Sequence, residues 1–310
     1  MLLVGGENLM DMVQIGEKDG QSLYQAIPGG SPFNVALAAG RQKVPVRYIT
    51  PISDDTSGDQ LAALLSDAGV ELGGARFVAP TSLAMVSLIE GIPSYAFYRN
   101  GTAERLVTTS ALNAHLADNP SIFHIGSLAI TGGEDAAIWE AFAHAAKAQG
   151  LLISLDPNIR ASFISDVPDY MARLGRILAI SDIVKLSDED LAWLYKDQSE
   201  EAALGQLRSM TNADIVVLTR GGEGARFYHA GAWQDVDPAQ VSDLKDTVGA
   251  GDTFMASMLA WLMGHADLEN LASLNGVDKG QMVRHAAKAA AMNCERQGCN
   301  PPTSDELNKA

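Results

Sequence analysis

Short apolar runs alternate with amphipathic stretches along most of this chain, and the two periods predict its elements. Residues 1–5 predict a short buried strand. Ser31 and Pro32, followed by Phe33-Asn34-Val35-Ala36-Leu37-Ala38-Ala39, predict a helix with a serine N-cap and a proline in its first turn, ending at Gly40. Residues 9–27 interleave polar and apolar positions around a turn region at 16–20, the pattern of a hairpin. Leu61, Leu64, Leu65 and Ala68 recur at helical spacing within 56–68, and Gly69 supplies the stop. Two further strands, 83–90 and 94–99, flank Gly91-Ile92-Pro93 as a second hairpin. From residue 122 the β-rich runs 122–125, 151–155, 183–186 and 215–219 are separated by helix-like segments, which marks a parallel α/β sheet. Alanine dominates the helical pattern at 282–296, which suits close helix packing.

Composition narrows the picture. With 310 residues, 47% of them hydrophobic and 19% charged, the chain can bury one large core, and residues 1–310 are expected to form a single α/β unit carrying an insertion. The formal net charge is −16 and Lys and Arg do not cluster, which argues against nucleic acid as a partner. An acidic surface also repels nucleotides at long range, so an anionic ligand must be held by local donors. Glu7 and Asp11 interrupt the N-terminal apolar positions, and the most apolar stretch, 254–263, is too short to span a bilayer. No membrane association and a cytoplasmic location are therefore expected. Cys294 and Cys299 match no zinc or redox spacing, and the six histidines show no metal-ligand pattern.

Ligands of parallel sheets bind at the carboxyl ends of the strands, so the residues after each run carry the candidate chemistry. The turn Gly249-Ala250-Gly251-Asp252 enters an apolar helix. Its small residues let successive amides point into one concave spot at a helix N-terminus, an anion hole. Asp252 inside that cradle suits a base that takes a proton from a hydroxyl attacking phosphorus. Taken alone, the same turn is equally an ordinary helix start with Asp252 as its cap. Asp156-Pro157-Asn158-Ile159-Arg160 follows the 151–155 run, and Arg160 can meet phosphate oxygens with its forked guanidinium or form a surface salt bridge. A glycine cluster, Thr219-Arg220-Gly221-Gly222-Glu223-Gly224, follows 215–218. No Gly-x₄-Gly-Lys-Ser/Thr segment occurs, so this is no P-loop enzyme.

The full string Asp246-Thr247-Val248-Gly249-Ala250-Gly251-Asp252-Thr253-Phe254 closely resembles the C-terminal signature of the ribokinase-like (PfkB) carbohydrate kinases. Asp-Pro-Asn-x-Arg at 156–160, the glycine cluster, Gly6-Glu7-Asn8-Leu9-Met10-Asp11 and Pro28-Gly29-Gly30-Ser31-Pro32-Phe33-Asn34 resemble further family segments. Phe97-Tyr98-Arg99, with Ala103, is most similar to bacterial fructokinases and 2-keto-3-deoxygluconate kinases. The resemblance implies a Rossmann-like α/β ribokinase fold: a central, mostly parallel sheet flanked by helices, with a small β lid built from about residues 9–30 and 83–104.

It also implies transfer of the ATP γ-phosphoryl group to a sugar hydroxyl. Asp252 is then the base, and Gly249, Ala250 and Gly251 belong to the anion hole. Asp11, Gly29, Gly30, Asn34 and Arg99 are the expected sugar contacts. Asn158, Arg160, Lys185, Thr219, Gly221, Gly222, Gly224, Ala289 and Asn293 are the expected ATP neighbours. For Mg²⁺, held largely through water, Asp190 stands where the family carries a glutamate, Ser187 replaces its asparagine, and Glu189 is a rival acid. Asp246 and Val248 match part of a monovalent-cation (K⁺) site whose remainder is not recognisable around Gly298. Lids of relatives pair between subunits, so a homodimer is expected. Fructose is the first expected acceptor and 2-keto-3-deoxygluconate the second, while a non-catalytic sugar-binding regulator is the alternative from a different class.

Overall fold

Alternation within the strand Ile183–Ser187 shows how the central sheet is buried. Ile183 faces one core, whereas Val184 and Leu186 face another on the opposite side. Ile215 and Val217 divide in the same way from Val216 and Leu218, as do Leu2 and Val4 from Leu3. Strands covered on both faces read as near-continuous apolar runs, which is why these segments stood out in the sequence. The computed structural model describes residues 1–89 and 92–309, and for residues 86–89, 92–95 and 97 the backbone alone.

Among the described residues the central sheet has nine strands. In spatial order they are Ala232–Val236, Ala225–His229, Ile215–Thr219, Ile183–Ser187, Leu152–Asp156, Ile122–Gly126, Leu2–Val4, Val46–Tyr48 and Glu71–Leu72. All neighbours pair in parallel except the first two strands, which form an antiparallel edge. One face is covered by the helices Ser31–Arg41, Ala250–His265 and Gly276–Cys294, the other by Glu134–Ala148, Val167–Ile180 and Glu200–Met210. No helix among the described residues is long and apolar enough to cross a membrane.

A separate four-stranded sheet has the order Gln21–Gly29, Leu9–Lys18, Ser82–Ile89, Ile92–Tyr98. Each predicted hairpin supplies two antiparallel strands, and a parallel pairing of Leu9–Lys18 with Ser82–Ile89 joins them. The first turn falls at Asp19-Gly20, and Gly16 lies within its strand where the register shifts after Gln14. Of the turn expected at Gly91-Ile92-Pro93, Ile92 and Pro93 instead belong to the strand, paired with Ile89 and Leu88, and Gly91 lies outside the described residues.

Two local expectations are corrected. The N-cap of Ser31–Arg41 is Gly30, not Ser31, and the helix runs one residue beyond Gly40. Gly30 has φ 112°, and a Cβ there would run into the Glu7 backbone, so glycine makes the turn and leaves the Ser31 hydroxyl free for another partner. The short strands Val46–Tyr48, Glu71–Leu72, Ile52–Ser53 and Arg76–Phe77 were not predicted.

Candidate active site

Gly249 caps the Ala250–His265 helix in the left-handed region at φ 73°, and a Cβ there would collide with Cys299. Only glycine combines that backbone angle with that approach. The Ala250 amide donates back to the Thr247 carbonyl at 3.2 Å, so it is not available to an anion as expected. The amides of Gly251 and Asp252 make no hydrogen bond among the described residues and stand open at the positive end of a 16-residue helix. The anion hole is therefore narrower than the sequence suggested.

Side chains brace this turn from behind. Asp246 accepts from the Val248 amide at 3.0 Å and from the Gly298 amide at 2.9 Å, joining the turn to the segment around Gly298. Asn293 donates to the Val248 carbonyl at 2.8 Å and accepts from the Asn300 amide at 2.9 Å. Asn293 and Ala289 are fully buried, so they support the turn and the helix packing instead of facing a nucleotide.

Asp252 is buried and held by donors from two other segments. The Ser31 hydroxyl donates to Oδ1 at 2.7 Å, the Asn34 amide to Oδ2 at 2.8 Å and the Asn158 amide to Oδ1 at 3.3 Å. Asn34 and Asn158 were expected to touch sugar and nucleotide respectively; both converge on the carboxylate. Ser31 was missed as a site residue. Its amide donates to Glu7 Oε1 at 3.1 Å, which anchors the helix start against the first strand's loop. Asn158 takes φ 39°, an uncommon angle for a residue with a side chain and the sort of strain that gathers at functional sites.

Beneath the hole lies a buried ion pair. Lys185 Nζ sits 2.9 Å from Asp156 Oδ2, with both side chains almost wholly excluded from solvent. The same Nζ is 3.1 Å from where a Cβ on Gly251 would stand. Lys185 was expected beside ATP, yet it lies under the turn and places a fixed positive charge behind the open amides. Burial raises the Asp156 carboxyl to about 6, against the pull of Lys185, and the neighbouring acids Asp190 and Asp252 add to the rise. Burial would lower the Lys185 ammonium, but Asp156 and those acids outweigh it and the net shift is upward. His124, buried one strand away, is pushed down to about 3 by burial and then by Lys185, so it stays neutral and Lys185 keeps the charge.

On the lid side, a Cβ on Gly29 would fall on the Asp11 carboxylate, so the glycine lets that acid lie against the strand. Burial raises Asp11 to about 6, opposed by Arg160 and assisted by Asp252. Arg160 itself is exposed, and among the described residues it contacts no carboxylate, only the carbonyls of Asn158 and Ile159 at 3.5 and 3.4 Å. Arg99 was expected to reach the sugar freely. Instead it is clamped by Glu104 through Nε at 2.8 Å and Nη2 at 3.1 Å, a partner the sequence did not reveal.

Toward the sheet's antiparallel edge, Thr219 ends its strand, and Gly221 and Gly222 stand where a Cβ would meet nothing within 4 Å. Gly224 is tighter, since a Cβ there would strike the Val236 carbonyl. Asp190 closes a capping box with Ser187 and accepts from the Ile159 amide at 2.7 Å. Both of its oxygens accept from backbone amides, which fixes the carboxylate at the helix start and leaves each oxygen a second lone pair for water. Glu189 remains exposed. Among the described residues no three His, Cys, Asp or Glu side chains converge on a metal position.

Comparison with known proteins gives the family and the fold. The family described as pfkB family carbohydrate kinase matches residues 2–306. A fructokinase of Rhizobium leguminosarum bv. trifolii is 38% identical over 293 residues, 92% of this chain and 89% of its own length. A solved fructokinase from Xylella fastidiosa with bound ATP gives a TM-score of 0.89 at 28% identity, covering 99% of this chain and 97% of that one. A Vibrio cholerae O395 fructokinase, in a fructose, ADP and calcium ion bound form, gives 0.82 at 26% identity, covering 99% and 95%.

Proposed function

Because this chain belongs to the pfkB family of carbohydrate kinases, we propose that it transfers the γ-phosphoryl group of ATP to a hydroxyl of fructose. One observation carries the reading: a buried carboxylate, held at 2.7 and 2.8 Å by Ser31 and Asn34, stands beside the open amides of Gly251 and Asp252. The fructokinase relatives support fructose as the acceptor.

In this mechanism the acceptor hydroxyl enters beside Asp252 Oδ1, where the Ser31 hydroxyl donates in the free enzyme. Asp252 takes the proton as the sugar oxygen forms its bond to the γ-phosphorus and the bond to the β-bridging oxygen breaks, releasing ADP. The open amides and Lys185 behind them stabilise the charge that develops on the transferred group. Arg160, with no carboxylate partner among the described residues, is placed to meet phosphate oxygens. The buried Asn34 Oδ1 has no partner among the described residues, which leaves it an acceptor for a second sugar hydroxyl while its amide holds the base.

Mg²⁺ bound with ATP would neutralise phosphate charge; no acidic cluster among the described residues cages it, so phosphate oxygens and water would supply its shell. Asp246, tied to Gly298, and the Val248 carbonyl would hold K⁺ behind the hole. The lid exposes Ile15, Leu23 and Tyr98, which supports pairing with a second copy. The reading includes a cytoplasmic location, consistent with two free cysteines.

The test is coupled ADP release with fructose, 2-keto-3-deoxygluconate, glucose and ribose across pH 5–8. Fructose should give the fastest turnover, and ATP alone should give little ADP because closure excludes water. No acceleration by any sugar would instead favour a silent sugar-binding protein, and faster turnover with another sugar would overturn the fructose assignment. Asp11 sets the pH expectation. Ionised, its two oxygens are acceptors only and suit sugar hydroxyls, so the KM for fructose should rise as pH falls through about 6. Its contribution to stability runs the other way: a carboxyl raised in the fold stabilises most below about 4 and loses that contribution as pH climbs through 6. Asp11→Asn should flatten the KM profile; an unchanged profile would assign it to Asp156, which titrates in the same window.

A further inference from the structure

Between the root of the lid and the start of the Glu134–Ala148 helix lies a cavity of about 490 Å³, inside the ~300–1,000 Å³ range of small-molecule sites. Its wall includes Arg99, Arg105, Thr131, Gly133, Ser162 and Ser165. None of the residues lining it is acidic among those described. That is unusual for a chain of net charge −16, and it concentrates two guanidiniums and three hydroxyls around one space.

The guanidiniums are fixed from outside the cavity. Glu104 holds Arg99 through Nε and Nη2, and Asp135 holds Arg105 through Nη2 at 2.5 Å. Each arginine has a further nitrogen with no protein partner among the described residues, so both are oriented while keeping donors for a ligand. Arg105 takes no part in the phosphoryl-transfer geometry described above. Gly133 has φ 97°, and a Cβ there would fall on the Arg105 guanidinium, so glycine is what admits this arginine. The fork of donors, the hydroxyls and the lack of lining carboxylates match a group with several charged oxygens.

We propose that this cavity is a second anion site, which binds a phosphate group carried by a sugar monophosphate or present as free inorganic phosphate. Its position at the lid root, with Arg99 directly after the lid strand Ile92–Tyr98, couples its occupancy to the lid.

Isothermal titration of inorganic phosphate into the full chain tests this, with fructose and a non-hydrolysable ATP analogue at saturation so that the anion hole is filled. One phosphate should bind, and Arg105→Gln should weaken it at least about tenfold, the loss of one charge-assisted partner. Because that change leaves Asp135 buried without its partner, the variant Arg105→Gln/Asp135→Asn is measured beside it and should show the same loss with an intact melting transition. Fructose turnover in phosphate-free buffer should match wild type in both. Absence of phosphate binding under these conditions, or equal binding in wild type and variants, overturns the proposal. A sugar monophosphate arm identifies the source: tighter binding than phosphate, lost in the same variants, points to a metabolite, and equal or weaker binding points to free phosphate.

Discussion

Asp252→Asn is expected to lower kcat for fructose phosphorylation by about 10²–10⁴-fold, the usual scale for removing a general base, with little change in the KM for fructose. The substitution keeps the shape of the side chain and a carbonyl oxygen for the Asn34 amide, so the loss isolates proton transfer. The new amide takes the Oδ1 position, where the Ser31 hydroxyl can rotate to accept from it, and Asn34 Oδ1 stays open to the sugar. Single-turnover kinetics beside a thermal melt checks this. A folded variant with wild-type turnover removes Asp252 from the chemistry.

Lys185→Met should cost more in stability than any exposed change. It leaves Asp156 in the interior without its partner at 2.9 Å, and breaking a buried pair from one side typically costs ~3–5 kcal/mol. The cost should depend on pH. Asp156 is already raised to about 6 with Lys185 present, and removing the lysine raises it further. The penalty is therefore present when Asp156 must ionise, near pH 8, and shrinks as pH falls through that raised value and the acid is neutralised. Urea unfolding at pH 8 and pH 5 measures the difference, and Lys185→Met/Asp156→Asn should recover much of the loss at pH 8. Equal midpoints for wild type and Lys185→Met at pH 8 would contradict the role given to the pair. Turnover should also drop, on the order of tenfold, less than the ~10²–10³ for a donor in direct contact with the reacting group.

The parallel strands were legible because burial on both faces leaves a mark every residue carries. Ile183–Ser187 and Ile215–Thr219 are such runs. Val46–Tyr48 was not legible: three residues with Arg47 in the middle hold no period, and only pairing with Leu2–Val4 and Glu71–Leu72 makes them a strand. The turn at 249–252 could be found because glycine at 249 answers a backbone demand that is local, a φ of 73°.

The partners of Asp252 were harder to see. Ser31-Pro32 looks like a helix cap, and nothing nearby in sequence says that its hydroxyl serves a carboxylate 221 positions away. Lys185 carried a usable signal. A lysine between Val184 and Leu186 in a buried strand needs a partner, and strand parity puts it on the face opposite those two, with Ile183 and the Ala250–His265 helix. Asp156, ending the neighbouring strand, was the obvious candidate. The clamp of Arg99 by Glu104 had no comparable warning, since Glu104 lies in a turn whose burial depends on the lid.

The central claim is that Asp252 and the two open amides beside it form the place where phosphorus changes partners. A crystal structure with fructose and a non-hydrolysable ATP analogue tests it most directly. The account predicts a fructose hydroxyl within hydrogen-bond distance of Asp252, ~2.5–3.0 Å, and the terminal phosphate against the Gly251 and Asp252 amides. Fructose bound with Asp252 still occupied only by Ser31, Asn34 and Asn158, and the terminal phosphate away from those amides, would contradict it.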